Sequence, residues 1–160
     1  MKQTKMLSKD FEELIRIFNE NDVEYLLVGG YAFGVYAQPR TTKDLDLFIR
    51  SSVPNSEAVV RSLQQFGAPL YGMTTADFRD GKSGLQFGHK PQRIDILQQI
   101  SGVKFDEAWK DRVVAAIGDG VSVNVISREH FLQNKRAAAR LRDLADVLEI
   151  ENAARAEKDT

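Results

Sequence analysis

The chain has 160 residues and a formal net charge of -1, and 42% of its residues are hydrophobic and 28% charged. This composition is typical of a globular protein and excludes disordered and fibrous classes, while the near-neutral charge argues against a surface built as a whole to bind nucleic acid. The sequence has no cysteine and two isolated histidines, which excludes disulfides and thiolate zinc sites and argues against a histidine metal cage.

The sequence gives no sign of a membrane segment or of a domain boundary. No run approaches the length of a membrane span, and the charged N-terminus leads into an amphipathic segment rather than an apolar signal region. We therefore expect a cytoplasmic protein. With no low-complexity break, we expect one domain over residues 1–152, followed by a polar tail at 153–160 that frays.

The first predicted elements are a helix, a short strand and a glycine turn. Ser8 is placed to cap a helix that runs to residue 21, in which apolar residues recur at helical spacing. The β-prone run 25–28 then stops at Gly29 and Gly30, where a second helix can begin. The free N–H groups of such a strand-to-helix turn would face any anion that approaches it.

Two aspartates on the next predicted strand, residues 43–49, carry the most chemical information. Because side chains alternate along a strand, Asp44 and Asp46 share one face and the apolar residues share the other. Carboxylates about 6 to 7 Å apart along a strand repel each other unless a cation lies between them. Mg²⁺ suits this position, since it binds one or two carboxylates together with phosphate oxygens. The alternative is a solvated strand face without a function.

The middle of the chain reads mainly as scaffold. A helix ending at Gly67 should cover the central strands, and residues 71–80 receive no firm assignment. The remaining predicted elements are a helix at 54–66, a turn at 81–84, a strand at 85–87, a short helix at 105–112 and a hairpin formed by 113–117 and 121–126.

A third aspartate interrupts an otherwise apolar strand at residues 91–97. Asp95 shares a strand face with Arg93, and a carboxylate at this position costs free energy unless it is paired or bound to a metal. Asp95 is therefore either an ion-pair partner of Arg93 or of another neighbour, or a third ligand beside Asp44 and Asp46.

The C-terminal part predicts one long helix that begins at Ser127 and continues past residue 148 without glycine or proline. Its basic residues ordinarily indicate a solvated face. Lys135, however, lies within one turn of Phe131 and Leu132, so its stem can cover apolar surface while its ammonium group reaches inward.

Together these motifs resemble the signature of the nucleotidyltransferase superfamily, in particular its small bacterial members related to the AbiE-type abortive-infection toxins. The residues that carry the resemblance are Val28-Gly29-Gly30, Arg40-Thr41-Thr42-Lys43, Asp44-Leu45-Asp46-Leu47, Asp95, and Lys135 followed by Arg142-Asp143.

The resemblance implies an α+β, nucleotidyltransferase-like fold, with a small mixed sheet flanked by helices and a C-terminal helix closing the pocket. It also implies an enzyme that moves a nucleoside monophosphate group from a nucleoside triphosphate to a hydroxyl of tRNA, protein or a small molecule, releasing pyrophosphate. The alternative is a degenerate member that binds nucleotide or a protein partner without turnover, such as one component of a toxin–antitoxin pair.

The same resemblance assigns the site residues. Asp44, Asp46 and Asp95 would be catalytic and would hold two metal ions, Mg²⁺ or alternatively Mn²⁺, with Asp95 as the base for the acceptor hydroxyl. The nucleotide would be bound by Gly29, Gly30, Arg40, Thr42, Lys135 and Arg142.

Overall fold

In the computed structural model, a mixed β-sheet forms the centre of the protein. The structure describes residues 2–3, 8–38, 44–89, 92–118 and 120–159. Within these ranges the strands are β1 (Lys2–Gln3), β2 (Tyr25–Val28), β3 (Asp44–Ile49), β4 (Leu85–His89), β5 (Gln92–Leu97), β6 (Val113–Ile117) and β7 (Val121–Val125). They lie in the order β1-β6-β7-β2-β3-β5-β4.

Helices flank this sheet, and the predicted α+β, mixed-sheet fold is confirmed. They are α1 (Lys9–Glu20), α2 (Gly29–Tyr36), α3 (Val53–Phe66), α4 (Phe105–Lys110), α5 (Arg128–Ala138) and α6 (Leu141–Asp159), with a 3₁₀ turn at Asp77–Arg79. No helix in the described part of the chain is both long and apolar enough to cross a membrane.

Local signals set the ends of the helices that cover the sheet. The Ser8 hydroxyl accepts a hydrogen bond from the backbone N–H of Phe11, which caps α1 as predicted. Gly67 ends α3 in the left-handed conformation (φ +88°). Ring contacts between Phe18 and Tyr25 and between Phe66 and Phe87 then join α1 and α3 to the strands.

Strand β3 is the central strand of the site. It pairs antiparallel with β2 and parallel with β5, and Leu45 and Leu47 are fully buried while Asp44 and Asp46 are half-buried. The predicted alternation is therefore present, with the apolar side chains in the core and the two carboxylates on the opposite face.

The segment 71–80, which the sequence left unassigned, is a loop that contains the 3₁₀ turn. Phe78 in this turn is fully buried. Gln98, also buried, donates from Nε2 to the carbonyl oxygens of Asp77 (2.6 Å) and Ser83 (2.7 Å). One side chain directly after β5 therefore binds both the 3₁₀ turn and the segment that follows the loop.

The C-terminal region forms two helices, whereas the sequence predicted one continuous helix. Helix α5 ends at Ala138, Ala139 takes the left-handed conformation (φ +54°), and α6 begins at Leu141. The Asp143 carboxylate accepts from the backbone N–H of Arg140 (3.3 Å), so a side chain caps the new helix where no glycine or proline marks a break. The tail expected to fray at 153–160 is helical as far as Asp159.

Candidate active site

Two of the predicted aspartates meet on neighbouring parallel strands. The register of β3 and β5 places Asp46 directly beside Asp95, and the register of β2 and β3 places Val28, the last residue before the glycines, beside Asp46. Side chains at directly paired positions share one face of a sheet. Residues from three strands that are distant in the sequence therefore converge on one carboxylate.

The electrostatics of this pair are strongly unfavourable to two negative charges. Burial, a hydrogen bond with Asp95, and the charges of Asp95 and Asp44 raise the pKa of Asp46 well above its ordinary value, and Lys135 opposes this rise. Asp46 therefore holds a proton more readily than an ordinary aspartate does, and a cation beside it would offset the repulsion from Asp95 and Asp44.

Gly29 lies against the Asp46 carboxylate and has no room for a side chain. Its backbone is left-handed (φ +70°), and a Cβ atom would lie 2.2 Å from Oδ2 of Asp46. Gly29 and Gly30 are the first two residues of α2, where the backbone N–H groups have no partner within the helix. The predicted glycine turn is thus the first turn of a helix that begins beside the acidic pair.

Asp44 and Asp95 have different partners. Arg93 Nε is 3.7 Å from Oδ1 of Asp44 and, among the described residues, is buried without a hydrogen-bond partner. Asp95 instead accepts a hydrogen bond from Nε2 of Gln86 (2.7 Å). The structure therefore gives Asp95 a neutral hydrogen-bond partner instead of either ion pair that the sequence allowed, and it places Arg93 beside Asp44.

Lys135 reaches inward from the end of α5. Its Nζ lies 3.3 Å from Oδ1 of Asp143 and 3.7 Å from Oδ2 of Asp146, and both carboxylates are buried. The ammonium group also lies 5.4 Å from the centre of the Phe131 ring, and its charge acts on Asp46. Lys135 is therefore ion-paired to α6, and its charge also reaches Asp46.

The sequence interpretation missed the residues that hold this lysine. Arg140 Nε donates to Oδ2 of Asp143 (2.7 Å), and this bond, together with Lys135, lowers the pKa of Asp143 to about 2 in spite of burial. The spacing of Asp143 and Asp146 was an available signal, because residues three apart share one side of a helix. The resemblance includes Asp143 but does not single out Asp146, so the sequence interpretation did not predict a buried carboxylate pair.

Of the three other predicted nucleotide-binding residues, the structure describes Arg142 alone, and Arg142 does not join this geometry. Arg142 is exposed and lies about 100° around α6 from its neighbour Asp143, given 3.6 residues per turn. The arginine in contact with Asp143 is Arg140. Arg40 and Thr42 fall outside the described residues, so their assignment stays a prediction.

A mixed sheet that brings a helix beginning at two glycines against carboxylates on adjacent strands defines a nucleotidyltransferase-type fold and site. Residues 7–159 match the model of a family described as nucleotidyl transferase of unknown function (DUF2204), and the chain belongs to this family. The predicted superfamily is confirmed, and the protein is a nucleotidyltransferase that acts on a nucleotide substrate. The relation to abortive-infection toxins stays a prediction.

The structural comparison agrees with this assignment. The crystal structure of the lincosamide antibiotic adenylyltransferase LnuA with bound lincomycin is similar to this chain, with a TM-score of 0.59 and 15% sequence identity. The match covers 92% of this chain and 98% of that chain. No curated protein matches the sequence. At this identity the likeness concerns the fold.

Proposed function

We propose that the protein transfers a nucleoside monophosphate group from a nucleoside triphosphate to a hydroxyl of a small molecule, in a reaction that depends on a divalent cation. One observation carries this proposal. Asp46 and Asp95 are paired in register and hydrogen-bonded, and the backbone of Gly29, at the start of α2, lies directly against the Asp46 carboxylate.

The residues present fit a divalent cation such as Mg²⁺ or Mn²⁺. In the described ranges, no three acidic or histidine side chains form a complete metal cage. Mg²⁺ does not need one, since it commonly takes one or two protein carboxylates and completes its shell with water and substrate phosphates. Asp46 and Asp95 would hold the ion, and the half-exposed Asp44 would be available to a second. When bound, the cation would neutralise the charge of the phosphates.

The chain's own groups suit the triphosphate as well. The first N–H groups of α2, at Gly29 and Gly30, are donors beside the carboxylate pair. Lys135 supplies a positive charge whose position is fixed by two buried aspartates. Backbone donors and a fixed ammonium group would together orient the phosphates toward the carboxylates.

In the proposed reaction the acceptor hydroxyl oxygen bonds to the α-phosphorus, and the bond from that phosphorus to the bridging oxygen breaks to release pyrophosphate. Asp95 would take the proton of the hydroxyl, with its Oδ1 oriented by Gln86. In this assignment Asp95 accepts the proton, whereas Asp46 contributes only its negative charge.

The choice of a small hydroxylated acceptor is supported by LnuA, a structural neighbour that is an adenylyltransferase of lincosamide antibiotics. The chain and that protein align over nearly their whole lengths. A tRNA or protein hydroxyl is the competing acceptor, and the experiment below separates them.

The test is incorporation of label from each α-labelled nucleoside triphosphate into three acceptor sets: aminoglycoside- and lincosamide-type small molecules, total tRNA, and protein. We expect label in a small molecule, dependent on Mg²⁺ or Mn²⁺ and lost in Asp46→Asn and Asp95→Asn. Asp10→Asn, which changes an exposed carboxylate on α1, is the matched control and should keep activity.

Label in tRNA or protein alone would overturn the small-molecule assignment. Full activity in the presence of a chelator, or in both site variants, would overturn the assignment of the cation to the acidic pair. Nucleotide binding without turnover on every acceptor would favour a degenerate, non-catalytic member.

A further inference from the structure

The outer face of α6 carries an apolar stripe that nothing in the described chain covers. Leu141, Leu144 and Leu148 are 88%, 47% and 59% exposed. Their spacing of three and four residues places them on one face of the helix. The opposite face is buried and includes Asp143 and Ile150. The stripe therefore points directly away from the core and takes no part in the acidic site.

This exposure is concentrated rather than scattered. Among the described residues, six large apolar side chains are exposed, and three of them form this stripe, while Val53, Tyr71 and Val114 lie on other elements. Single exposed apolar residues are common on soluble proteins, whereas a contiguous row on one helix marks an interaction surface.

The charges beside the stripe indicate what it binds. On one flank, Arg142 lies near the start of the helix and Glu149 lies almost two turns later, and neither has an ion-pair partner in the described part of the chain. On the other flank Arg140 and Glu151 are already ion-paired within the chain, with Asp143 and Arg136 respectively. The flank with unpaired charges therefore runs from positive to negative along the helix.

We propose that α6 pairs antiparallel with α6 of a second copy of this chain, about a two-fold axis near residues 145 and 146. Two-fold symmetry reverses the helix direction, and each flank then faces the same flank of the second chain. Arg142 of one chain would therefore lie opposite Glu149 of the other. The same register brings Leu144 opposite Leu148. A parallel pair would instead place like charges together.

The size of this helix surface determines how strongly two copies should associate. Helix α6 has 19 residues and is therefore about 28 Å long, at 1.5 Å per residue. One helix pair of this length buries less than the roughly 1,600 Å² of a standard stable interface. The dimer should accordingly be reversible and dependent on concentration.

Sedimentation equilibrium of the full-length protein from micromolar to near-millimolar concentration tests the proposal. We expect the average mass to rise from 18.0 kDa toward twice that value. Leu148→Glu should weaken association at least about tenfold, because it places charges within the apolar contact. Val53→Glu makes the same change at a 52% exposed position on α3 and should have no effect.

A charge-reversal series separates antiparallel pairing of α6 from other association. Arg142→Glu and Glu149→Arg should each weaken the dimer by about threefold to thirtyfold, since each change affects two symmetric pairs. The double variant should recover most of the loss. The two positions are about 10 Å apart along their own helix, so recovery would not arise within one chain.

A protein that stays at 18.0 kDa over the whole range would overturn the proposal. Dimers that are unaffected by Leu148→Glu would place the interface elsewhere. Single charge variants that weaken association without recovery in the double variant would exclude the antiparallel register. Thermal melting of each variant confirms that the monomer is folded.

Discussion

Replacing Gly29 by alanine tests the close approach of the start of α2 to the Asp46 carboxylate. A side chain there adopts a left-handed backbone, at a cost of about 1 to 2 kcal/mol. Its Cβ would also meet Oδ2 of Asp46 at 2.2 Å and Cγ at 3.1 Å. Displacing a packed group of this kind costs about 1 to 3 kcal/mol. We expect Gly29→Ala to lower the free energy of unfolding by roughly 2 to 5 kcal/mol.

Gly72 offers a matched control, because its φ is +82° and no atom lies within 4 Å of its hypothetical Cβ. Gly72→Ala should therefore cost only the backbone term, about 1 to 2 kcal/mol, and should leave nucleotidyl transfer unchanged. The assay is urea denaturation of both variants, together with label transfer. The difference between the two costs is the contribution of Asp46.

A double variant isolates the contact itself. Asp46→Ala removes the two atoms that a Cβ at Gly29 would strike first, so Gly29→Ala should cost about 1 to 3 kcal/mol less in that background. If Gly29→Ala costs no more than Gly72→Ala, or costs the same with and without the Asp46 carboxylate, then the close approach does not limit this position and the steric argument fails.

Three further predictions concern charge and loop anchoring. Because the pKa of Asp46 is raised from 3.8 to about 8, the folded protein holds a proton that the unfolded chain releases between these two pH values. The free energy of unfolding without metal should therefore fall as the pH rises from about 4 to about 8. Asp46→Asn should flatten this dependence, as measured by thermal melting at a series of pH values. Lys135→Ala should weaken triphosphate binding by about 1 to 3 kcal/mol in calorimetry. It should also lower stability by about 3 kcal/mol, the lower end of the range for a broken buried ion pair, because both buried aspartates lose Lys135 while Asp143 keeps Arg140. The exposed Arg136→Ala should do neither. Gln98→Ala should lower the free energy of unfolding by about 1 to 3 kcal/mol, because the carbonyl oxygens of Asp77 and Ser83 lose their donor. It should also speed proteolysis within residues 77–83. An unchanged cleavage rate would show that buried Phe78 alone anchors the loop.

The sequence predicted those parts of the fold whose signals are local. Ser8 marks a helix start and Gly67 a helix end, and the alternation around Asp44 and Asp46 predicts which strand face is polar. Each depends on residues within a few positions of one another. The superfamily signature was recognisable for the same reason, since the glycines and the first two aspartates lie close together in the chain.

Features that depend on contacts between distant segments could not be predicted in this way. The break at Ala139 has no glycine, because the cap comes from the Asp143 side chain after the helix has turned. The preference of Arg93 for Asp44 depends on the register of β3 and β5. The contact of Arg140, rather than Arg142, with Asp143 likewise depends on the direction in which α6 leaves that break.

The parallel pairing of β3 and β5 has a consequence for how the protein is made. Parallel neighbours need a long crossover, and here α3, the 3₁₀ turn and β4 all lie between the two strands. A growing chain that has exposed both glycines and Asp46 still lacks Asp95, so a nascent N-terminal fragment should have no competent site until β5 has emerged. Contacts of this separation also form slowly. Acquisition of nucleotidyl-transfer activity should therefore coincide with completion of the sheet rather than precede it.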